Sequence, residues 1–277
     1  MIVAVASGKG GTGKTTVATN LALVSDGVQF LDCDVEEPNA HLFLRPQIGR
    51  RTPVGIPVPQ VDEFKCTQCG KCAEACEFNA IVVIREKVLV FPELCHGCGA
   101  CSYVCPAGAI SEVEREIGVV EDGTAHGMEF VQGILHVGEP MATPLIRWEK
   151  RLVKPEKTVI VDCSPGTSCP VIEAVRGSDF CLLVTEPTPF GLHDLRLAVE
   201  MVRTLAIPMG VVINCADLGD SGVREYCRRE GIPVLLEIPL DRRIATAYSR
   251  GVPIVEALPE YEAKFRELFQ RIGDMVV

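Results

Sequence analysis

The stretch VASGKGGTGKTT, Val5 to Thr16, decides the fold, because it follows a short apolar run and precedes a helix-like segment. Residues 8–15 match the pattern G-x-x-x-x-G-K-S/T between a predicted strand and a predicted helix, which is the context that this motif requires. Glycines let the backbone N–H groups of such a loop curve around phosphates at the positive end of the helix. The stretch therefore predicts a phosphate-binding loop.

The side chains of this loop have separate predicted roles. We expect Lys14 to reach the β- and γ-phosphates, Thr15 to bind Mg²⁺ and Thr16 to contact the α-phosphate. The remaining cofactor-binding positions of the loop are Gly8, Gly10, Gly11, Thr12 and Gly13. Lys9 is one lysine more than a phosphate-binding loop needs.

Short apolar runs alternate with helix-like segments along most of the chain. The runs, rich in β-branched residues, are 2–6, 28–32, 158–162, 180–184 and 210–214. The helix-like segments are 14–25, 193–206, 220–230, 241–250 and 260–272. This alternation predicts an α/β fold in which helices wrap a parallel sheet buried on both faces.

Composition limits the class of protein. The chain has 277 residues, 47% of them hydrophobic, and a net charge of −10, which gives no overall attraction to nucleic acid. It shows neither a basic leader followed by an apolar segment nor an apolar run long enough to span a bilayer. We therefore expect a cytoplasmic protein that binds neither nucleic acid nor membrane. Fourteen cysteines in a reducing compartment point first to metal binding.

Eight of the cysteines lie in the segment 61–115, which interrupts the α/β pattern and repeats itself at an interval of 29 residues, as from Cys66 to Cys95. We expect an inserted domain at 61–115 within a nucleotide-binding domain formed by 1–60 and 116–277. Both cysteine runs have the C-x2-C-x2-C-x3-C spacing of bacterial ferredoxins, in which the fourth cysteine binds the other cluster. The crossed ligand sets are Cys66, Cys69, Cys72 and Cys105 for one 4Fe–4S cluster, and Cys95, Cys98, Cys101 and Cys76 for the other. Two structural zinc sites of four cysteines are the alternative.

The stretch KGGTGKTT, with its early Lys9, resembles the deviant Walker A motif of the MinD/ParA/Mrp and nitrogenase iron protein ATPases. The resemblance implies Mg²⁺-dependent ATP hydrolysis by a homodimer, or a heterodimer with a similar ATPase, that sandwiches ATP. It also implies that Lys9 reaches across the dimer to the partner's nucleotide. The plainer alternative is a solvated loop lysine.

Two further stretches carry the resemblance. FLDCDVEEPN, residues 30–39, resembles the switch I segment, which implies that Asp34 orients the attacking water and that Asp32 supports it. VIVDCSPGTSC, residues 159–169, resembles the Walker B strand and switch II, which implies that Asp162 holds Mg²⁺ through water. An aspartate at the end of a strand is often only a cap.

The resemblance also implies that Asn214, which ends an apolar run, and Pro239 in a later loop recognise the base; Asn214 can also simply terminate a strand. Cys169 lies seven residues after Asp162, the spacing of a bridging-cluster cysteine in the nitrogenase iron protein. No second such cysteine occurs between Cys105 and Cys163, so metal binding by Cys169 stays open.

The hypothesis that joins these motifs is a nucleotide-switched iron–sulfur ATPase that donates electrons to a partner protein, or assembles or delivers its metal cofactor. The alternative is a spatial positioning ATPase of the MinD/ParA kind with a ferredoxin docking module. That alternative depends on the apolar stripe near the C-terminus, formed by Tyr261, Phe265, Leu268, Phe269 and Ile272. The stripe can lie on a membrane or pack in the core, and its mixed flanking charges favour the core.

Overall fold

The computed structural model describes residues 1–85 and 87–276. All five apolar runs predicted from the sequence form strands in it. The strands are β1 (Ile2–Ala6), β2 (Val28–Cys33), β3 (Gln47–Val61), β4 (Ile81–Ile84), β5 (Lys87–Val90), β6 (Ile110–Ala125), β7 (Met128–Leu135), β8 (Thr158–Cys163), β9 (Phe180–Thr185), β10 (Met209–Asn214) and β11 (Val234–Ile238).

Helices follow most of the strands of the α/β part, as predicted. They are α1 (Lys14–Leu23), α2 (His41–Leu44), α3 (Lys71–Glu74), α4 (Ala100–Tyr103), α5 (Thr143–Lys150), α6 (Cys169–Val175), α7 (Pro189–Thr204), α8 (Gly222–Glu230), α9 (Arg242–Ser249), α10 (Ile254–Ala257) and α11 (Glu262–Val276).

The main sheet has nine strands in the order β11-β10-β9-β1-β8-β2-β7-β6-β3, and the pairs from β11 through β7 are parallel. The predicted α/β class with a large, mostly parallel sheet is confirmed. Strand β1 lies between β8 and β9, so the chain leaves it in one direction and later returns on its other side. Ligands of open α/β sheets bind at the carboxyl ends of strands at such a switch point, and the glycine-rich loop follows β1 there.

The first of two compact units comprises residues 1–51, 120–134 and 146–277. Its core is made by the apolar sheet faces and the helices against them, and includes a stacked pair, Phe30 and Phe130, with ring centroids 6.0 Å apart. The predicted C-terminal stripe packs into this core, where Phe265, Leu268 and Ile272 are at most 1% exposed. Core packing of the stripe is therefore confirmed. No helix of the described residues has the length and apolar character needed to cross a bilayer.

The second unit comprises residues 52–119 and 135–145, a larger part of the chain than the segment 61–115 singled out by its cysteines. Its small core includes Ile56, Val58 and Ile117. Strands β4 and β5 form an antiparallel pair in which Ile81 lies opposite Val90. The assignment of 61–115 as an inserted ferredoxin-like domain stays a prediction.

Candidate functional site

The glycine-rich loop joins β1 to α1 through backbone conformations that favour glycine. Gly11 and Gly13 have φ values of 78° and 91°, in the left-handed region. Gly13 is also the N-cap of α1, and no side chain caps the helix there. The N–H groups of the first turn of α1 thus stay available for an anion.

A cavity of about 390 Å³ opens beside this loop. Most of the predicted nucleotide-binding residues line it, namely Gly10, Gly11, Gly13, Lys14, Thr15, Thr16, Asp34, Asn214 and Pro239. Gly8 and Thr12 instead serve the packing of the loop. A Cβ on Gly8 would overlap the backbone carbonyl of Asp194, and the carbonyl of Thr12 accepts a hydrogen bond from Asn214 Nδ2 at 3.0 Å.

Asp162 lies next to the loop, one residue before the end of β8, where it pairs in register with Val5 of β1 and Asp32 of β2. Its carboxylate is fully buried, and neither oxygen has a hydrogen-bond partner among residues 1–85 and 87–276. Burial raises the pKa of Asp162 to about 7. A buried carboxylate without partners is costly unless a cation compensates it, so this arrangement fits a Mg²⁺ site completed by Thr15.

Asp32 lies near the end of β2, and Asp34 follows just after the strand. Asp32 is fully buried and accepts hydrogen bonds from the backbone N–H groups of Asn39 at 3.1 Å and Ala40 at 3.0 Å, which fixes the loop. Asp34 is half-buried at the cavity wall. Burial raises its pKa to about 6, against the opposing influence of the Lys14 ammonium. With a pKa of about 6, this carboxyl is more ionised than protonated at neutral pH.

Lys9 lies outside the lining of this cavity, although its neighbour Gly10 belongs to it. Its ammonium contacts Glu186 instead, with Nζ 3.2 Å from Oε2. The role of Lys9 toward a second subunit stays a prediction.

The side of the cavity expected to hold the base is built from β10 and the segment after β11. Asn214 ends β10 as predicted, and its Oδ1 accepts from the N–H of Cys215 at 3.0 Å. Asp217 Oδ1 accepts from the N–H of Leu240 at 2.6 Å, which fixes the loop that carries Pro239. The sequence reasoning missed the wall contributed by α9 and α10. Its members are Ile244, Ala245, Tyr248 and Ile254.

Two smaller cavities lie in the second unit, and each is lined by four cysteines. The first is lined by Cys66, Cys69, Cys72 and Cys105, and the second by Cys76, Cys95, Cys98 and Cys101. These are the two crossed sets expected from the ferredoxin spacing. The fourth cysteine of each run thus lies with the first three of the other run.

The local backbone repeats with the same interval of 29 residues. Backbone N–H groups point at the sulfurs of Cys66 and Cys95 from two residues ahead, both at 3.4 Å. The sulfurs of Cys76 and Cys105 each face the N–H four residues ahead, at 3.3 Å. Such contacts stabilise thiolate charge, which is the form of cysteine that binds metal.

Metal binding at these cysteines stays a prediction. Within the described ranges, no three histidine, cysteine, aspartate or glutamate side chains are grouped so as to hold a metal ion. Burial raises the pKa of Cys72 and of Cys101, whereas the pKa of Cys69 is lowered chiefly by the backbone N–H of Lys71. Cys169 is exposed at the start of α6, outside both cavities.

Comparison with known proteins agrees with the fold and the loop. Residues 3–254 match the family described as CobQ/CobB/MinD/ParA nucleotide binding domain. The chain is 32% identical over 257 residues to an uncharacterised protein of Methanocaldococcus jannaschii, covering 91% of this chain and 90% of that protein. It is 26% identical over 298 residues to an iron–sulfur cluster carrier protein of Pyrococcus horikoshii, covering 98% and 84%.

Among solved structures, the septum site-determining protein MinD of Pyrococcus horikoshii, in complex with Mg-ADP, superposes with a TM-score of 0.62. The identity is 18%, and the match covers 98% of this chain and 95% of that one. The ATP complex of Cyanothece McdA superposes with a TM-score of 0.59 at 17% identity, covering 98% and 96%. At these identities the likeness concerns the fold.

Proposed function

Because this chain belongs to the CobQ/CobB/MinD/ParA family of nucleotide-binding domains, we propose that it is an ATP-hydrolysing iron–sulfur protein that works as a nucleotide-switched dimer. The dimer donates electrons to a partner protein, or assembles or delivers its metal cofactor. The observation that carries the proposal is the presence, in one chain with a phosphate-binding loop, of two cavities lined by four cysteines each. The relatives named iron–sulfur cluster carrier proteins support it.

In the ATP site, the buried Lys14 binds the β- and γ-phosphates, while Thr15 and Asp162 hold Mg²⁺. The cation supplies positive charge where the phosphates gather negative charge. Asp34, at the cavity wall, orients the attacking water. Asn214 and Pro239 bound the space for adenine.

Lys9 serves the nucleotide of the other subunit in this proposal. Its position outside the lining of its own cavity supports that role, because the side chain is paired with Glu186 and is not committed to the phosphates of its own chain. We expect Lys9→Ala to keep ATP binding measurable but to lose hydrolysis and ATP-dependent dimerisation. Normal hydrolysis by this variant would refute the role in the partner site.

The cysteine cavities fit 4Fe–4S clusters in the chemistry of their donors, since four thiols surround each and backbone N–H groups face several of the sulfurs. Such clusters, when bound, accept and donate single electrons. The protein would set their potentials through its N–H···S contacts and nearby charges. The segment 61–115 is then an inserted ferredoxin-like domain, and 1–60 with 116–277 form the ATPase domain.

The decisive experiment is anaerobic purification followed by analysis of iron, sulfide and zinc. We expect about eight irons and eight sulfides per chain, from two four-iron clusters. Cys72→Ser should lower both contents toward half, whereas Cys169→Ser, a matched change outside both cavities, should leave them unchanged. Two zinc ions per chain without sulfide would contradict the proposal. Incubation with an apo acceptor then separates cluster delivery from electron donation.

A further inference from the structure

The contact between Lys9 and Glu186 joins the glycine-rich loop to the segment after β9. Lys9 Nζ lies 3.2 Å from Glu186 Oε2, and the two side chains are 33% and 25% exposed. Among the described residues, Glu186 is the one carboxylate within 4.0 Å of this ammonium. Lys9, the lysine that an ordinary phosphate-binding loop lacks, is therefore paired with Glu186 of its own chain.

The backbone that carries Lys9 is fixed on both sides. Ser7 Oγ donates a hydrogen bond to the carbonyl of Lys9 at 2.6 Å. Gly8 packs so tightly against α7 that a Cβ there would overlap the backbone carbonyl of Asp194. Lys9 thus leaves the loop from a defined position.

The backbone that carries Glu186 is equally constrained. Its carbonyl accepts from the N–H of Thr188 at 2.8 Å, and a Cβ on Gly191 would overlap the same carbonyl. Thr185 Oγ1, at the end of β9, donates to the carbonyl of Gly191 at 3.1 Å. Because the backbone is fixed at both residues, forming the ion pair costs only the conformational entropy of the two side chains.

Lys9 cannot pair with Glu186 and contact the nucleotide of a second subunit at the same time. An ammonium that contacts phosphate across a dimer must leave Glu186, and it leaves that carboxylate unpaired beside a polyanion. A triphosphate competes better for Lys9 than a diphosphate because it carries more negative charge. The cost of breaking the pair is the same with either nucleotide, so it is offset least when the phosphate charge is low.

We propose that Glu186 is a positioning residue that holds Lys9 on its own chain and so sets the threshold for ATP-dependent dimerisation. The inference rests on the proposed function, in which Lys9 serves the nucleotide of the partner subunit. It adds an intramolecular competitor for Lys9.

The size of the threshold follows from the exposure of the pair. Partly exposed ion pairs contribute up to about fivefold to an equilibrium constant. A symmetric dimer must break one pair in each subunit, so the two effects multiply. Removal of the carboxylate should tighten the dimer by about twofold to 25-fold.

The test measures the dimer dissociation constant of the full chain by sedimentation velocity in ATP-Mg²⁺ and in ADP-Mg²⁺. The variants are Glu186→Gln, Lys9→Gln and the double variant. Glu200→Gln, an exposed change of the same charge on α7, is the control. Thermal melting confirms that each variant is folded. We expect Glu186→Gln to tighten the ATP dimer, Glu200→Gln to match the unaltered chain, and neither Lys9→Gln nor the double variant to dimerise with ATP.

The outcomes separate the two hypotheses. If Lys9→Gln dimerises and hydrolyses ATP normally, the proposed role of Lys9 fails, whatever Glu186→Gln does. If Lys9→Gln loses dimerisation but Glu186→Gln leaves the constant unchanged or weakens the dimer, only the restraint by Glu186 is wrong. Recovery of ATP-dependent dimerisation in the double variant also overturns it, because the carboxylate then acts through a group other than Lys9.

Discussion

A buried glutamate near Asp32, Glu149, makes the stability of the chain depend on pH. Glu149, near the end of α5, is 0% exposed, and neither of its carboxyl oxygens accepts a hydrogen bond from residues 1–85 and 87–276. Gly133 of β7 makes room for it, since a Cβ there would lie 2.9 Å from the carboxyl carbon. Burial, reinforced by the nearby Asp32 carboxylate, raises the pKa of Glu149 well above its ordinary value of 4.5.

The sign of the effect follows from proton linkage. Above pH 4.5 the unfolded chain loses the proton of this carboxyl while the folded chain keeps it. Stability therefore falls as the pH rises, until the folded-state pKa is passed. Each pH unit in that window costs about 1.4 kcal/mol. Glu149→Gln has almost the same shape and does not titrate, so its advantage over the unaltered chain should grow by that amount per pH unit.

Urea unfolding between pH 5.5 and 8.5 measures this difference on the alkaline side of the sequence isoelectric point, which lies near 5.1. Trp148, the single tryptophan, precedes Glu149 and gives a local fluorescence signal. Glu267→Gln, an exposed change on α11, controls for the loss of a surface charge. Parallel stability curves for Glu149→Gln and the unaltered chain would refute the reasoning, because they would mean that Glu149 titrates alike in both states.

Three further predictions concern the nucleotide cavity. Lys14→Ala should weaken ATP binding by about tenfold or more in calorimetry, since it removes a charge-assisted contact to phosphate; unchanged affinity would contradict the site. Gly13→Ala should also lose affinity, because φ is 91° and the added Cβ would lie 2.6 Å from Asn214 Nδ2; a normal ATP titration would show that the loop adapts. Asp162→Asn should melt higher than the unaltered nucleotide-free chain at pH 8, where a carboxyl with a pKa of about 7 is ionised and buried, and Mg²⁺ should no longer improve its ATP binding; a lower melting temperature would contradict this.

The central strands could be predicted because their local sequence alone indicates a buried strand. Strands β1, β2, β8, β9 and β10 are largely apolar runs, and both faces of a central parallel strand are buried. The predicted ends agree with the structure within one residue.

The long strands β3 and β6 were not predicted, because their sequences contain residues that disfavour strands. Strand β3 contains Pro53, Pro57 and Pro59, which remove donors from a ladder, and it is the last strand in the sheet order, where proline is tolerated. Strand β6 is rich in glutamate, which is depleted in strands. Pairing with neighbouring strands outweighs local propensity in both.

The candidate site divides in the same way. Short sequence motifs identify three sets of residues. These are the loop residues, the carboxylates near the strand ends and the cysteine sets, and all of them could be predicted. The partner of Lys9 could not, since Glu186 is 177 positions away and its own segment carries no motif. Tyr248 was predicted as part of a helix, but periodicity does not say which cavity a helical side chain lines.

The end of α5 connects two segments of the first unit, the loop after β2 and the loop after β8. Glu149 lies beside Asp32, which fixes the loop after β2. The next residue, Lys150, donates from Nζ to the carbonyl of Ala174 at 2.8 Å and to that of Glu173 at 3.2 Å, and so caps α6. Because α6 begins just after the loop that follows Asp162, one rigid pair of residues contacts the supports of both segments.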